Sequence, residues 1–264
     1  MDLMVPEYAY MFGFLQADGH LAKGVGQKGR LSVEISARDV DLLRAFQKLT
    51  PYYSSITERT RSTNFAETHT AAVWSLCSLE ARTTLNALGL PYGRKSKTIA
   101  PPSGEFSRRD YLRGLIDADG SVGFTSRGMP FISLSTSSTT IGAYMCSYTR
   151  MVTGAVRHPT RNRRDNAYNI FYAGKAAQAL TSDLYSPGCL SLSRKQAVAE
   201  RITNWVRPRA KKPGPERIEW TSDKDRILLS AETIDEACAK LGHSQNACRA
   251  RLTKMLDGLV PLPD

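Results

Sequence analysis

Three features of this 264-residue sequence predict an α+β protein of two similar halves followed by a small all-α module. Residues 11–19 are nearly repeated at residues 112–120, which lie 101 positions later. Each copy is followed by segments that alternate apolar and polar residues, as half-buried strands do. Hydrophobic residues make up 41% and charged residues 23%, as in ordinary globular domains. We therefore expect two repeats that each carry an antiparallel four-stranded sheet.

Charge and apolar patterning restrict the class of protein. Lys and Arg number 36 against 25 Asp and Glu, so the net charge is +11. This surplus fits a polyanionic partner, and a solvated basic surface without a partner is the alternative. No apolar run reaches the ~20 residues of a membrane span, and the N-terminus lacks the basic start of a signal peptide. The five scattered cysteines do not have the spacing of zinc ligands. From these features together we expect a cytoplasmic protein without a membrane partner.

The first half is expected to alternate helices with pairs of strands. Its first helix follows Pro6 and ends at Gly19. In a strand behind it, Leu31 and Val33 alternate with polar residues, which predicts one buried face. The further predicted elements are strands 20–25 and 30–36, helix 39–49, strands 53–61 and 70–76, and helix 78–88.

The second half repeats this order. Its first helix starts near Arg108, after a capping-box sequence, and ends at Gly120, which suits a left-handed helix cap. The further predicted elements are strands 122–126 and 131–136, helix 139–152, strands 155–161 and 168–173, and helices 175–184 and 194–206.

Each repeated segment carries a mid-helix glycine and ends on Ala-Asp-Gly. Gly in a helix interior costs about 0.5–1 kcal/mol relative to Ala, so Gly13 and Gly114 indicate a helix–helix interface where the two backbones touch. Asp18 and Asp119 then lie at neighbouring helix C-termini, where the helix dipole and mutual repulsion disfavour charge. A divalent cation removes both penalties, and oxygen ligands favour Mg²⁺ over zinc. One Asp-Gly alone would indicate only a turn.

Both segments resemble the LAGLIDADG motif: residues 112–120 are LRGLIDADG and residues 11–19 are MFGFLQADG. Over residues 7–206 the chain is similar to the single-chain, two-repeat LAGLIDADG homing endonucleases, also called meganucleases, which mobile genetic elements encode. The resemblance implies two pseudo-symmetric halves whose motif helices form the interface. It also implies a monomeric hydrolase that cuts both strands of DNA with a divalent metal and leaves 3′ overhangs.

The resemblance assigns the metal site to the ends of the two motifs. Asp18 and Asp119, with the preceding Ala17 and Ala118, are the implied positions for Mg²⁺ or another divalent cation such as Mn²⁺ or Ca²⁺. The earlier acidic position of the motif is Asp117 in the second copy and Gln16 in the first. This departure leaves the metal position intact and indicates that the two halves are not equivalent.

The family also places a basic residue near each active site. Lys97-Thr98-Ile99 resembles the segment that carries the first catalytic lysine, so Lys97 is the candidate, with a solvated basic run as the alternative. At the corresponding end of the second half the candidate is Lys195, and Arg194 stays open as its alternative.

Outward strand positions and nearby arginines are candidates for contacts to double-stranded DNA of roughly 20 bp or more. Residues 1–206 hold 25 Lys and Arg against 16 Asp and Glu, so most of the charge surplus lies there. The candidates in the repeats are Arg30, Ser32, Glu34, Ser36, Arg59, Arg61, Ser133, Ser135, Arg157, Arg161, Arg163 and Arg164.

The expected segments are repeat 1 (1–101), repeat 2 (102–206), a basic Pro-rich linker (207–219) and a terminal module (220–264). Three short capped helices in the module match a helix-turn-helix and are similar to Myb-like or SANT-like DNA-binding modules. A helical cap packed on the repeats is the alternative. The candidate DNA contacts in the module are Gln245, Asn246, Arg249 and Arg251.

Two other functions compete with the endonuclease. A family of bacterial transcription regulators joins a LAGLIDADG-like domain to a C-terminal helix-turn-helix and has no nuclease activity. An RNA maturase that assists intron splicing has the same fold. Retention of both metal carboxylates argues against the regulator, and nothing in the sequence excludes the maturase.

Overall fold

The computed structural model describes residues 1–63, 66–207 and 219–263, with the backbone alone at 61–63 and 66–69. The chain forms two compact units, residues 1–207 and 208–264, which are described separately. Of the predicted linker, residues 208–218 lie outside the described part of the chain.

The first half has the predicted order of elements. Its four strands form an antiparallel sheet in the order β1-β2-β4-β3. Leu31 and Val33 face the core and are buried, as their alternation predicted. The elements are α1 (Pro6–Asp18), β1 (His20–Ala22), β2 (Arg30–Ser36), α2 (Val40–Leu49), β3 (Ser54–Thr63), β4 (Ala66–Leu76) and α3 (Leu79–Ala87).

The second half has the same order, with one strand fewer and one helix more among its described residues. Its strands form an antiparallel sheet in the order β5-β6-β7. The elements are α4 (Arg108–Asp119), β5 (Gly120–Phe124), β6 (Pro130–Thr136), α5 (Thr139–Thr153), β7 (Tyr168–Ala173), α6 (Lys175–Leu184) and α7 (Ser193–Thr203).

The prediction of a strand at 155–161, and so of a four-stranded second sheet, was wrong. This segment touches the sheet through a single bridge between Arg161 and Tyr168. Pro159 lacks the N–H that a ladder position needs. The segment packs through its arginines instead: the guanidinium of Arg157 lies 5.8 Å from the ring centre of Tyr172, and that of Arg161 lies 4.4 Å from the ring centre of Tyr168.

Helices α1 and α4 pack against each other at the centre of the first unit. A Cβ built on Gly13 would lie 2.3 Å from the carbonyl oxygen of Tyr111. A Cβ on Gly114 would lie 2.1 Å from that of Tyr10. Both distances are far below van der Waals contact, so the two backbones touch at the two glycines. The middle of each helix, residues 9–16 in α1 and 110–117 in α4, is buried on all sides, because the partner helix covers one side and the sheets cover the rest.

The second unit contains three helices around a small core. Hydroxyls of Thr221, Thr233 and Ser244 cap them by accepting from backbone N–H groups three residues on. Gly242 has φ 68°, so it ends the second of them in the left-handed conformation. The helices are α8 (Ser222–Ser230), α9 (Ile234–Leu241) and α10 (Gln245–Leu256), and the core is formed by Leu228, Ala237, Leu241, Cys248 and Met255.

Across the described ranges of both units, each helix is either too short or too polar to cross a membrane.

Gly13→Leu and Gly114→Leu are each expected to lower the free energy of unfolding by more than the ~1–3 kcal/mol typical of overpacking. The obstructing atoms belong to the backbone of the partner helix, which cannot move independently. Gly104→Leu is the matched control, because no atom lies within 4 Å of a Cβ at that position. Urea denaturation measures all three. Wild-type stability of Gly13→Leu would contradict a backbone contact at the helix crossing.

Candidate active site

The two motif carboxylates lie at the C-terminal ends of the packed helices. Asp18 is the last residue of α1, and Asp119 is the last residue of α4. Each is followed by Gly and then by the first hairpin of its half. The helix crossing therefore brings the two aspartates to the junction between the helix pair and the two sheets.

The glycines behind the aspartates do not have the left-handed conformation predicted for Gly120. Gly19 has φ −71° and Gly120 has φ −109°, which any residue can adopt. A Cβ on Gly19 would lie 2.5 Å from the carbonyl oxygen of Leu15, and one on Gly120 would lie 2.5 Å from that of Ser133. Glycine is required here because the chain passes directly from helix to strand with no room for a side chain.

The carboxylates lie close enough to affect each other's charge. The pKa of Asp119 is raised to about 6, first by burial and then by the negative charge of Asp18, against the opposing effect of Lys95 and Lys195. Burial likewise raises the pKa of Asp18, and the same two lysines oppose the rise. Neither carboxylate accepts a hydrogen bond from any residue that the structure describes. The pair is therefore mutually repulsive, and both residues remain exposed to solvent.

Lys95 is the basic residue that reaches the carboxylate pair from the first half. Its Nζ donates to the carbonyl oxygen of Gln16 at 2.6 Å and also to that of Ala17. Burial lowers its pKa, while the charges of Asp119 and Asp18 raise it. The ammonium group thus sits at the negative end of the α1 dipole, beside both aspartates.

Lys195 has the corresponding place at the end of α4. Its Nζ donates to the carbonyl oxygens of Ile116, Asp117 and Gly120 at 2.6, 2.8 and 2.8 Å. Burial lowers its pKa to about 8, although the charge of Asp117 opposes the shift. Its alternative Arg194 turns elsewhere and donates to Asp39 at 3.1 Å.

The structure does not place Lys97 in this cluster. Its side chain is exposed, whereas Lys95 two residues earlier makes the contacts. The sequence contained a signal for this choice. Lys195 follows Asp119 by 76 residues, and Lys95 follows Asp18 by 77, whereas Lys97 follows it by 79. Comparing spacings between the repeats would have selected Lys95.

The other motif position, Gln16 in the first copy and Asp117 in the second, is a buried structural anchor. The Tyr111 hydroxyl of α4 donates to the Oε1 of Gln16 in α1. The Tyr10 hydroxyl of α1 donates to the Oδ2 of Asp117 in α4 at 2.7 Å. Tyr185 also donates to Asp117 at 2.7 Å. An amide and a carboxylate both accept such a hydrogen bond, so the departure at Gln16 leaves the helix pairing intact.

The ligand atoms at this position fit a hard divalent cation. Two carboxylates at neighbouring helix ends offer oxygen ligands. Within the described ranges no cluster of three or more His, Cys, Asp or Glu side chains could hold a metal by itself. Water and a bound phosphate would have to complete the coordination. Of the implied neighbours, Ala17 already accepts from Lys95, and Ala118 is half-buried before Asp119.

A cavity of about 310 Å³ opens beside the helix ends. It reaches from the C-terminus of α1 and α4 to the end of β6 and to the segment before β7. Its lining includes Ala17, Ser96, Asp119, Ser137 and Asp165.

Most of the strand residues predicted to contact DNA lie on the sheet face opposite the core. In the first sheet Ser32 pairs with His20 and Ser75, while its neighbours Leu31 and Val33 are buried. The outward set in the two sheets comprises Arg30, Ser32, Glu34, Ser36, Arg59, Ser133 and Ser135; the side chain of Arg61 lies outside the described residues.

Two arginines that were predicted to contact DNA bind other residues of the protein instead. Arg161 donates to the carbonyl oxygen of Ser137 at 3.1 Å and to the hydroxyl of Thr139 at 3.0 Å. Arg251 makes a two-bond ion pair with Asp225, at 2.9 and 2.6 Å. Both guanidinium groups stabilise local structure, so neither is a free contact group.

The other predicted contacts differ in how free they are. Arg164 lies 3.3 Å from Asp165, and Gln245 donates to Asp235. Arg157 is exposed with its guanidinium beside the Tyr172 ring. The remaining exposed candidates are Arg163, Asn246 and Arg249.

Comparison with known proteins finds a LAGLIDADG-like domain at residues 107–142. No curated protein matches the sequence. The structure of the homing endonuclease I-WcaI bound to its DNA recognition sequence is similar, with a TM-score of 0.52 and 13% identity over 74% of this chain and 88% of that chain.

A structure of mesophilic variants of the homing endonuclease I-DmoI has a TM-score of 0.51 and 12% identity, over 76% of this chain and 100% of that chain. The N-terminal LAGLIDADG domain of DUF199/WhiA has a TM-score of 0.48 and 13% identity, over 75% and 86%. At these identities the likeness to the two homing endonucleases concerns the fold alone. The chain therefore contains a LAGLIDADG-like domain, within a fold that it shares with homing endonucleases of known structure.

Proposed function

We propose that the protein is a site-specific endonuclease that hydrolyses one phosphodiester in each strand of double-stranded DNA and leaves 3′ overhangs. The observation that carries this proposal is the pair of mutually repulsive carboxylates, Asp18 and Asp119, at neighbouring helix ends whose carbonyls are bound by Lys95 and Lys195. The likeness to a DNA-bound homing endonuclease supports DNA as the substrate.

The chemistry divides between carboxylates and lysines. Asp18 and Asp119 would hold a divalent cation, expected to be Mg²⁺, which when bound lowers the pKa of water and stabilises the leaving oxygen. With a pKa of about 6, Asp119 is mostly ionised at neutral pH. Lys195, with a pKa of about 8, is mostly protonated there and can stabilise negative charge on a phosphate. Lys95 takes the same role in the first half, in place of Lys97.

The two halves would act as pseudo-symmetric repeats, each serving one DNA strand. Supporting this, α1 and α4 make reciprocal contacts: Gly13 meets Tyr111, and Gly114 meets Tyr10. The outward faces of the two sheets would then lie in the major groove on either side of the cut. The net charge of +9 on residues 1–206 would make binding strongly dependent on salt.

A DNA-binding regulator without nuclease activity is the second candidate. It would need the same sheets but no carboxylate pair. Two carboxylates that repel each other at helix C-termini destabilise a fold, so an inactive protein has no physical reason to keep Asp18 and Asp119 together. Cleavage of a bound duplex with a divalent cation decides between the two functions.

Asp18→Asn and Asp119→Asn are each expected to abolish cleavage, while duplex binding stays within about tenfold of wild type because phosphate contacts supply most of the affinity. The substrate is a duplex enriched by the wild-type protein from a randomised library in Ca²⁺. Cleavage is started with Mg²⁺ and read on denaturing gels. Asp41→Asn, at an exposed position of α2, is the matched control. Normal cutting by either active-site variant would contradict the metal assignment.

Lys95→Ala is expected to slow cleavage by about 10²–10³-fold, as does loss of an oriented electrostatic group in other enzymes. Lys97→Ala, two residues away and exposed, should cleave at the wild-type rate. Single-turnover rates on the same duplex measure both. If Lys97→Ala loses activity and Lys95→Ala keeps it, the role belongs to Lys97.

The terminal unit is proposed to be a helix-turn-helix module of residues 220–264 that binds DNA beside the main site, joined through 207–219 to the repeats at 1–101 and 102–206. Its α10 offers Asn246 and Arg249 as exposed contact groups, whereas Arg251 is held by Asp225. The carboxylates and lysines of the active site all belong to the first unit.

A chain ending at Arg207 is therefore expected to cut the same phosphodiesters, bind more weakly and protect fewer base pairs. DNase footprinting and gel shifts against the full chain measure this. An unchanged footprint and affinity would show that the terminal unit does not bind DNA.

A further inference from the structure

Two phenylalanines stand on the outward face of the second sheet. Phe131 in β6 lies next to the buried, core-facing Ile132, so its own side chain points the other way. Phe171 in β7 lies in the same way between buried Ile170 and Tyr172. Both phenylalanines are half-buried. Their rings stack on each other, with centroids 5.3 Å apart and planes at 20°.

The sheet holds this aromatic pair in place. Phe131 pairs across the ladder with Gly123 of β5, and a Cβ on that glycine would lie 3.0 Å from the Phe131 ring. The ring therefore covers the backbone of Gly123 on one side and packs on Phe171 on the other. Two mutually stacked rings on a rigid sheet form a fixed apolar surface, not two mobile side chains.

The first sheet has polar residues at the matching positions. Phe131 lies 101 positions after Arg30, the same interval that separates the two motifs. Phe171 pairs with Ser133 just as Ser75 pairs with Ser32, which lies 101 positions before Ser133. The two outward faces therefore differ in chemistry at equivalent places: a guanidinium and a hydroxyl on one, two phenyl rings on the other.

An apolar group in the major groove can distinguish one feature of the bases, the 5-methyl group of thymine. Gly123, opposite Phe131, follows Asp119 by four residues, which is about 13 Å along a strand. At 3.4 Å per base pair this corresponds to about four base pairs from the aspartates. Arg30 and Ser75, by contrast, can form hydrogen bonds with base edges.

We propose that Phe131 and Phe171 recognise thymine methyl groups in the half of the target that faces the second sheet, about four base pairs from its centre. The other half is recognised through hydrogen bonds from the first sheet, so the target is asymmetric in chemistry as well as in sequence. This inference rests on the proposed function and specifies which bases the protein recognises.

The test compares thymine with deoxyuridine, which differs only by the methyl group. Duplexes are enriched from a randomised library by the full-length protein in Ca²⁺, and the thymines about four base pairs from the centre are replaced by deoxyuridine. Each replacement is expected to weaken binding of wild type by about three- to fivefold, the value of one buried methyl group. Phe131→Ala is expected to bind both duplexes equally.

Two further variants keep this test decisive. Phe171→Leu retains an apolar side chain and gives a second measurement if Phe131→Ala has a lowered melting temperature; its discrimination between the two duplexes should be reduced. Arg30→Ala, the matched control, should still discriminate thymine from deoxyuridine and should lose base preference in the opposite half.

Equal binding of both duplexes by wild type, or unchanged discrimination by Phe131→Ala, would overturn the inference. The inference would also be overturned if a phenylalanine variant lost affinity for single-stranded oligonucleotides but not for duplexes. The rings would then be stacking on unpaired bases. An enriched duplex that is cleaved but shows no thymine preference removes this inference alone. No enrichment and no cleavage would remove the proposed function with it.

Discussion

The contact between the backbones of α1 and α4 determines the position of every candidate active-site group. The helices approach so closely at Gly13 and Gly114 that no side chain fits between them. Tyr10 and Tyr111 then reach across the interface to Asp117 and Gln16. These contacts fix the axial position of one helix relative to the other, and with it the distance between the aspartates at their ends. A looser crossing would leave two ordinary carboxylates at separate helix termini.

The same arrangement destabilises the fold at the candidate active site. Burial and mutual repulsion raise the pKa of Asp119, so the fold favours a protonated carboxyl there. A carboxyl whose pKa is higher in the folded than in the unfolded chain makes the fold less stable as the pH rises through that interval. Lys95 and Lys195 offset part of this effect by placing positive charge beside both aspartates and on the helix-end carbonyls. Divalent cation and substrate would meet a site whose charges are already positioned.

Local patterns in the sequence were sufficient for much of this structure. The duplicated segments predicted the paired helices, and alternation predicted the buried faces of β2 and β6. What failed depended on contacts between distant residues. Segment 155–161 was predicted to be a strand, but its arginines bind the ring faces of β7. Arg251 appears free in a helix pattern, yet Asp225 of another helix holds it. Lys97 and Lys95 cannot be separated by residue type; the spacing between the repeats favours Lys95, and the fold shows that it reaches the helix end.

The helix crossing holds Asp18 and Asp119 within electrostatic reach of each other. Carboxyl ¹³C NMR titration of metal-free protein measures this directly. We expect a pKa of about 6 for Asp119 in the wild-type chain and a lower pKa in Asp18→Asn, because the neighbouring negative charge is gone. An ordinary pKa near 4 for Asp119, unchanged by Asp18→Asn, would contradict it.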